Sequence, residues 1–298
     1  MRKGVWYAIG AYVIWGLFPV YWKWLQEIDA LQLLCHRVVW SFLMLSTAIV
    51  LARQWTEFAS VARSPRVVGV YSVAALLIAV NWLVYIWAVN AGYVIETSLG
   101  YFIAPLVNVL TGVIFLRERL RPWQWTSVAL ATAGVLYLTF VHGALPWIAL
   151  TIAFTFGVYG MVKKTAPLGS LHGLTLETGT LLLPALAYLI YCEEAARGAF
   201  LHAGALLDVL MIGAGLVTIA PLLLFASAVR RIPLSYMGLL LYIAPTLQFL
   251  LGVLVYREAF PYSQFVGYSL VWIALAMFAV DGLFSRRGHA LTAETYRA

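Results

Sequence analysis

Three ionisable side chains, His36, Arg37 and Glu177, stand inside long apolar stretches of this 298-residue sequence. Charge at membrane depth is costly, so such residues are candidates for function. Arg37 has the chemistry to hold a substrate carboxylate or to pair with Glu177. A buried pair that opens would serve as a gate; one that never opens is a structural ion pair, costly to break. His36 and Trp40 share one helix face at i, i+4 spacing. Together they suit a cavity wall for an aromatic or amphipathic solute. Histidine titrates near neutral pH, which makes a proton the candidate coupling ion; a satisfied packing histidine is the alternative.

Pro105 and Pro245 each remove a backbone donor and free a carbonyl one turn back, at Tyr101 and Leu241. Near mid-span, freed carbonyls are tolerated against protein or a wet cavity, so both prolines are candidate hinges, with a packing kink as the alternative. Tyr101, Pro105 and Asn108 fall on one helix face. Tyr242, Pro245 and Gln248 repeat that polar strip, and Asn81 with Tyr85 adds an i, i+4 pair. The candidate substrate-binding set is therefore His36, Arg37, Trp40, Asn81, Tyr85, Tyr101, Asn108, Glu177, Tyr242 and Gln248. Glu96 reads as a loop-side residue. Arg117-Glu118 and Arg257-Glu258 read as interfacial ion pairs that fix span ends. No metal or cofactor motif stands out.

The elements that must position these residues are membrane helices. Hydrophobic residues make up 63% of the chain and charged residues 10%, and mean hydropathy is +0.91. No soluble core of this size hides that much apolar surface. Disordered chains, disulfide scaffolds and nucleic-acid-binding domains are excluded. Cys35 and Cys192 have neither metal-ligand nor CxxC spacing. The first apolar run is too long for a signal peptide and contains Pro19 and three tryptophans, so it reads as a membrane helix. A ruler of about 20 apolar residues predicts ten spans, at 4–22, 30–52, 67–89, 94–116, 122–141, 146–162, 172–191, 209–229, 235–256 and 262–284. Of the 19 Lys and Arg residues, 15 fall on one side of this topology and 3 on the other, with Arg37 inside a span. That bias predicts that both termini are cytoplasmic. Trp22, Trp24, Trp55, Trp123, Trp125 and Trp147 at span ends suggest an aromatic belt.

The chain also matches itself. At a shift of 140 residues Ile103-Ala104-Pro105 meets Ile243-Ala244-Pro245, and Gly112, Arg117 and Glu118 meet Gly252, Arg257 and Glu258. Near the start the shift becomes 141 and pairs Trp6 with Trp147, Gly16 with Gly157 and Lys23 with Lys164. Five spans per repeat is an odd number, so the second half would insert inverted, as in alternating-access transporters. The expected organisation is one five-helix repeat at 1–142, a second at 143–285 and a cytoplasmic tail at 286–298. A duplication kept only for packing is the alternative.

The strings Gly16-Leu17-Phe18-Pro19, His36-Arg37-Val38-Val39-Trp40-Ser41, Asn81-Trp82, Trp87-Ala88-Val89-Asn90 and Glu96-Thr97-Ser98-Leu99-Gly100-Tyr101-Phe102-Ile103 resemble the RarD branch of the EamA-type drug/metabolite transporter superfamily. Tyr159-Gly160, Glu177-Thr178 and Tyr242-Ile243-Ala244-Pro245-Thr246 extend the likeness over nearly the whole chain. The resemblance implies a ten-helix inner-membrane permease, related in the family to chloramphenicol sensitivity or resistance. An enzyme is the rival class, but no HExxH is present, Asp29, Asp208 and Asp281 all lie near interfaces, and paired histidines at depth are lacking. A lipid flippase or scramblase remains the alternative. The expectation is an all-α secondary-active exporter, monomer or homodimer, of small organic metabolites or amphipathic drugs.

Overall fold

The computed structural model describes residues 2–117, 119–142 and 146–258, together with 262, 265–274, 276, 277 and 280. Glu118, the 286–298 tail and the end of the tenth predicted span lie outside the described residues. Regular structure among the described residues is helical throughout, as lipid requires of a backbone that must satisfy its own hydrogen bonds.

The first apolar segment is α1 (Arg2–Gly16) followed by α2 (Phe18–Trp24). Pro19 sits in the first turn of α2, where its missing N–H costs nothing. Asp29 caps α3 (Ala30–Leu51) by accepting from Leu31 N and Gln32 N at 3.0 and 3.1 Å. The connection after it holds a short helix, α4 (Trp55–Ala62), that sequence reasoning left as a loop; its Phe58 packs with Ile49, Tyr71 and Leu176. Next come α5 (Pro65–Asn90), α6 (Val94–Leu116) and α7 (Pro122–His142). The chain continues through α8 (Trp147–Thr165), α9 (Ser170–Glu194) and α10 (Ala205–Val229). α11 (Leu234–Leu241) and α12 (Ile243–Leu250) then run into a π-helical turn at Leu251–Val255, and Phe265–Ala274 forms a shorter apolar helix, α13.

Among the described residues, seven segments are long and apolar enough to cross a membrane: Arg2–Trp24, Ala30–Leu51, Pro65–Asn90, Val94–Phe115, Ser170–Glu194, Ala205–Val229 and Tyr236–Val255. α7 and α8, at 21 and 19 residues, occupy the fifth and sixth predicted positions and are each about 30 Å long. Large apolar side chains cover the outside, among them Phe140, Leu51 and Leu183, which suits lipid and not water. The protein is thus an all-helical, multi-pass membrane protein.

Packing places α1 against α10 and α12, α8 against α5 and α6, and α3 between α9 and α10. Several close approaches depend on glycine. A Cβ at Gly16 would sit 2.7 Å from Leu247 Cβ, and one at Gly157 would sit 2.5 Å from Val107 Cγ1. Such small residues let membrane helices meet backbone to side chain. α6 runs unbroken through Pro105, whereas the ninth segment breaks at Tyr242, three residues before Pro245. Arg117 and Arg257, which end α6 and follow the π turn, share a left-handed backbone at φ 53°.

Candidate functional site

Arg37 lies one to two turns inside α3 and is 1% exposed. Its guanidinium is held between two indoles, with Cζ 4.1 Å from the Trp82 ring centre and 4.7 Å from that of Trp22. Phe18 adds a third ring at 5.9 Å. Cation–π contacts of this kind are worth about 2 kcal/mol when desolvated. Nε donates to Thr218 Oγ1 of α10 at 2.9 Å. None of these partners carries negative charge, and Nη1 is buried with no hydrogen-bond partner.

Arg37 lines a cavity closed to about 10 Å³, walled also by Asn81, Tyr85, Tyr101 and Gln248 and by the rings of Trp15, Phe18, Trp82 and Phe156. That is space for about one water. Six helices contribute: α1, α2, α3, α5, α6, α8 and α12 meet here, α1 and α2 as one broken segment. Asn81 Nδ2 donates to Ile152 O and Thr155 Oγ1, both at 3.0 Å, and its Oδ1 accepts from Tyr101 OH at 3.3 Å. Asn81 is therefore spent on tying α5 to α8 and on aiming Tyr101. Gln248 Nε2 donates to Trp15 O at 3.0 Å. Gln248 Oε1 and Tyr85 OH are buried without partners. A closed cavity ringed by orphaned polar atoms and one unmatched cation can bind a small polar or anionic solute.

Five of the ten sequence candidates, Arg37, Asn81, Tyr85, Tyr101 and Gln248, thus meet in one cavity. The others lie elsewhere. His36 and Trp40 do share a face, but their rings pack on Phe200 at 5.3 and 5.7 Å. His36 there lines a separate cavity of about 410 Å³ with Gln32, Leu189, Glu193 and Phe200. Asn108 is buried beside Gly160 and Gly238, and Tyr242 packs on Phe102 at 6.0 Å.

Glu177 does not pair with Arg37. Its Oε1 lies 2.5 Å from Lys163 Nζ, and its Oε2 accepts from Tyr159 OH at 3.1 Å. Lys163, just past the sixth predicted span and one of the 15 basic residues counted on the cytoplasmic side, has a side chain only 4% exposed, with the Tyr71 ring 5.3 Å away. Trp22, expected in the aromatic belt, is fully buried; the desolvated guanidinium holds it inside. Trp24, Trp55, Trp123, Trp125 and Trp147 are exposed. Glu258 acts as a cap: its carboxylate accepts from Val94 N and Ile95 N at 3.2 and 2.9 Å, at the positive end of the α6 dipole. Sequence reasoning missed Trp22, Trp82, Thr218, Tyr159 and Lys163. The self-match held a signal for some of them, because it aligns Phe18 and Trp22 with Tyr159 and Lys163. Among the described residues, no three His, Cys, Asp or Glu side chains cluster to hold a metal ion.

A model described as the EamA-like transporter family matches residues 2–140. Protein RarD of Streptomyces exfoliatus is 44% identical over 286 residues, covering 96% of this chain and 91% of that protein. Protein RarD of Escherichia coli (strain K12) is 41% identical over 286 residues, covering 96% and 97%. The chloramphenicol-sensitive protein RarD of Pseudomonas aeruginosa is 33% identical over 283 residues, covering 94% of each chain. One protein of known crystal structure superposes with a TM-score of 0.66 at 20% identity, over 96% of this chain and 99% of that one; at that identity the likeness speaks for the fold alone.

Proposed function

Because this chain belongs to the RarD branch of the EamA-like transporter family, we propose that it is a membrane transporter working by secondary-active, alternating access on small organic solutes. The site is the cavity around Arg37, which in this conformation is narrowed to about 10 Å³. The observation that carries this reading is the unmatched guanidinium: its partners are two indoles and a hydroxyl with no counter-ion, and a buried cation at membrane depth is costly, which marks a candidate substrate site.

The mechanism needs two halves that can rock about the site, and contacts recur in the register of the self-match. Gly16 meets Leu247 as Gly157 meets Val107. Arg37 meets Phe18 and Trp22 as Glu177 meets Tyr159 and Lys163. Trp15 and Phe156, aligned with each other, touch edge to face at 5.5 Å across the cavity. This recurrence supports ten crossings arranged as inverted repeats, 1–142 and 143–285, with both termini in the cytoplasm. The break at Tyr242 favours Pro245 as the bending point, with Pro105 its partner in the unbroken helix.

Uptake by proteoliposomes of the purified protein tests the proposal. Labelled amino acids, organic acids and amphipathic drugs are offered with and without an imposed pH gradient. Gradient-driven accumulation supports a proton-coupled carrier, and equilibration without a gradient effect supports a facilitator. No movement of any compound rejects transport of small solutes.

A further inference from the structure

We propose that the central cavity selects an organic monoanion: a carboxylate on Arg37, a neutral hydrogen-bond donor on Gln248, and an aromatic or apolar body between the rings. This names the substrate class for the transport reading above and rests on it.

Charge comes first. Of the side chains lining the cavity, Arg37 alone carries formal charge. The carboxylate that stands at its aligned position, Glu177, is already engaged by Lys163 and Tyr159. A guanidinium out of water loses several kcal/mol of hydration, and the rings of Trp22 and Trp82 return only part of that. An anion on Nη1 neutralises the site with a charge-assisted bond. A zwitterion would restore the imbalance, because its ammonium would find no carboxylate in the cavity wall.

Hydrogen bonding then narrows the class. Trp15 O accepts from Gln248, so the amide must turn its nitrogen toward that carbonyl. Oε1 is left over, buried and unpartnered. An amide oxygen only accepts, so the group that satisfies it must donate. A hydroxyl or an amide N–H does so without adding charge. Tyr85 OH, also unpartnered, can give the carboxylate its second bond. Asn81 has no donor left to offer, since both N–H groups of its amide are engaged. Rings of Trp15, Phe18, Tyr101 and Phe156 supply apolar walls for the body of the solute. The cavity must widen to admit it, which is what opening of either half would do.

Four probes differing at one group separate the possibilities: 3-phenyllactate, 3-phenylpropionate, L-phenylalanine and L-phenylalaninamide. Binding to the full-length protein in detergent is followed by calorimetry and by quenching of tryptophan emission. Phenyllactate should bind about tenfold tighter than phenylpropionate, the worth of one buried hydrogen bond, and at least tenfold tighter than phenylalanine, with the amide weakest. Arg37→Gln should weaken both anions about a hundredfold. Gln248→Leu should bring phenyllactate down to phenylpropionate, erasing the difference between them; a merely structural glutamine would weaken all four probes alike. Preference for phenylalanine, equal binding of the amide, or binding of none of the four overturns the assignment. If Arg37→Gln protein moves a neutral or cationic compound at the wild-type rate, transport stands and the monoanion assignment falls. If anions bind as expected but nothing crosses the bilayer, the transport reading falls instead.

Discussion

Removing one charge of the Lys163–Glu177 pair should damage the protein far more than removing both. At 2.5 Å, with side chains 4% and 1% exposed, the two charges attract by roughly 7 kcal/mol at an effective dielectric of about 20. Each ion gave up several kcal/mol of hydration to be there. Attraction and desolvation therefore nearly cancel while the pair is intact. Glu177→Leu strands the ammonium among Tyr71 and Tyr159, and Lys163→Met strands the carboxylate with one remaining bond, from Tyr159 OH at 3.1 Å. Each single change should cost about 3–5 kcal/mol, and the double replacement should fall within about 1 kcal/mol of wild type. Thermal unfolding of the detergent-purified proteins is the assay. At roughly 2–4 °C per kcal/mol for a chain of this size, each single variant should melt roughly 6–20 °C lower and the double variant near wild type. A double variant that loses the sum of the two singles would refute the reasoning. So would a Glu177→Leu protein that melts like wild type, because Lys163 would then be reaching water.

Three further outcomes follow from the geometry. Arg37→Ala should abolish uptake while leaving the amount of protein in the membrane unchanged; normal uptake in a well-expressed variant rejects a substrate role for Arg37. Gly157→Leu should cost about 1–3 kcal/mol, because Val107 Cγ1 already stands where the new side chain must begin; a melting temperature equal to wild type would show that α6 and α8 separate freely. Burial raises the Glu258 carboxyl above its ordinary 4.5, opposed by the bonds from Ile95 N and Val94 N and by the charge of Lys23. With the folded value above the unfolded one, that contribution to stability is complete below the ordinary value and is lost as pH climbs to the raised one. Glu258→Gln removes the titrating group, at the loss of one of the two acceptor oxygens, and should flatten this part of the melting profile; an unchanged slope assigns it to another group.

Much of the fold was legible because lipid leaves the backbone few options. Apolar runs of fixed length located the segments. Half of the candidate site was legible for a related reason: a polar residue deep in an apolar run has few places to be useful, so Arg37, Asn81, Tyr85, Tyr101 and Gln248 converge. The errors share a cause as well. Lys163 and Trp22 sit near span ends, where counting rules treat them as anchors in water or headgroups, yet packing partners decide whether an end residue is desolvated. Those partners are Glu177 for one and Arg37 for the other. Trp15, Trp82 and Phe156 were given no place in the site because aromatic residues, at 15% of the chain, give little contrast. His36 and Trp40 were placed on the correct face, but the face is covered by Phe200, from a connection with no periodic pattern to reveal it.

Aligned positions in the two halves of the chain make similar local contacts with opposite electrostatic outcomes. Glu177 has Lys163 at the position where Arg37 has Trp22. One half supplies a counter-ion from its own chain, and its buried charge is closed on itself. The other supplies a polarisable ring, which softens the charge without cancelling it. If burial alone were the purpose, exchanging Trp22 for a carboxylate would complete the first half as Lys163 completes the second. Trp22→Glu turns that reasoning into a test: a carboxylate beside the guanidinium should abolish anion binding, while loss of the fully buried indole's packing lowers the melting temperature. A Trp22→Glu protein that still binds and carries its solute would mean that the unmatched charge of Arg37 is not what the solute comes to satisfy.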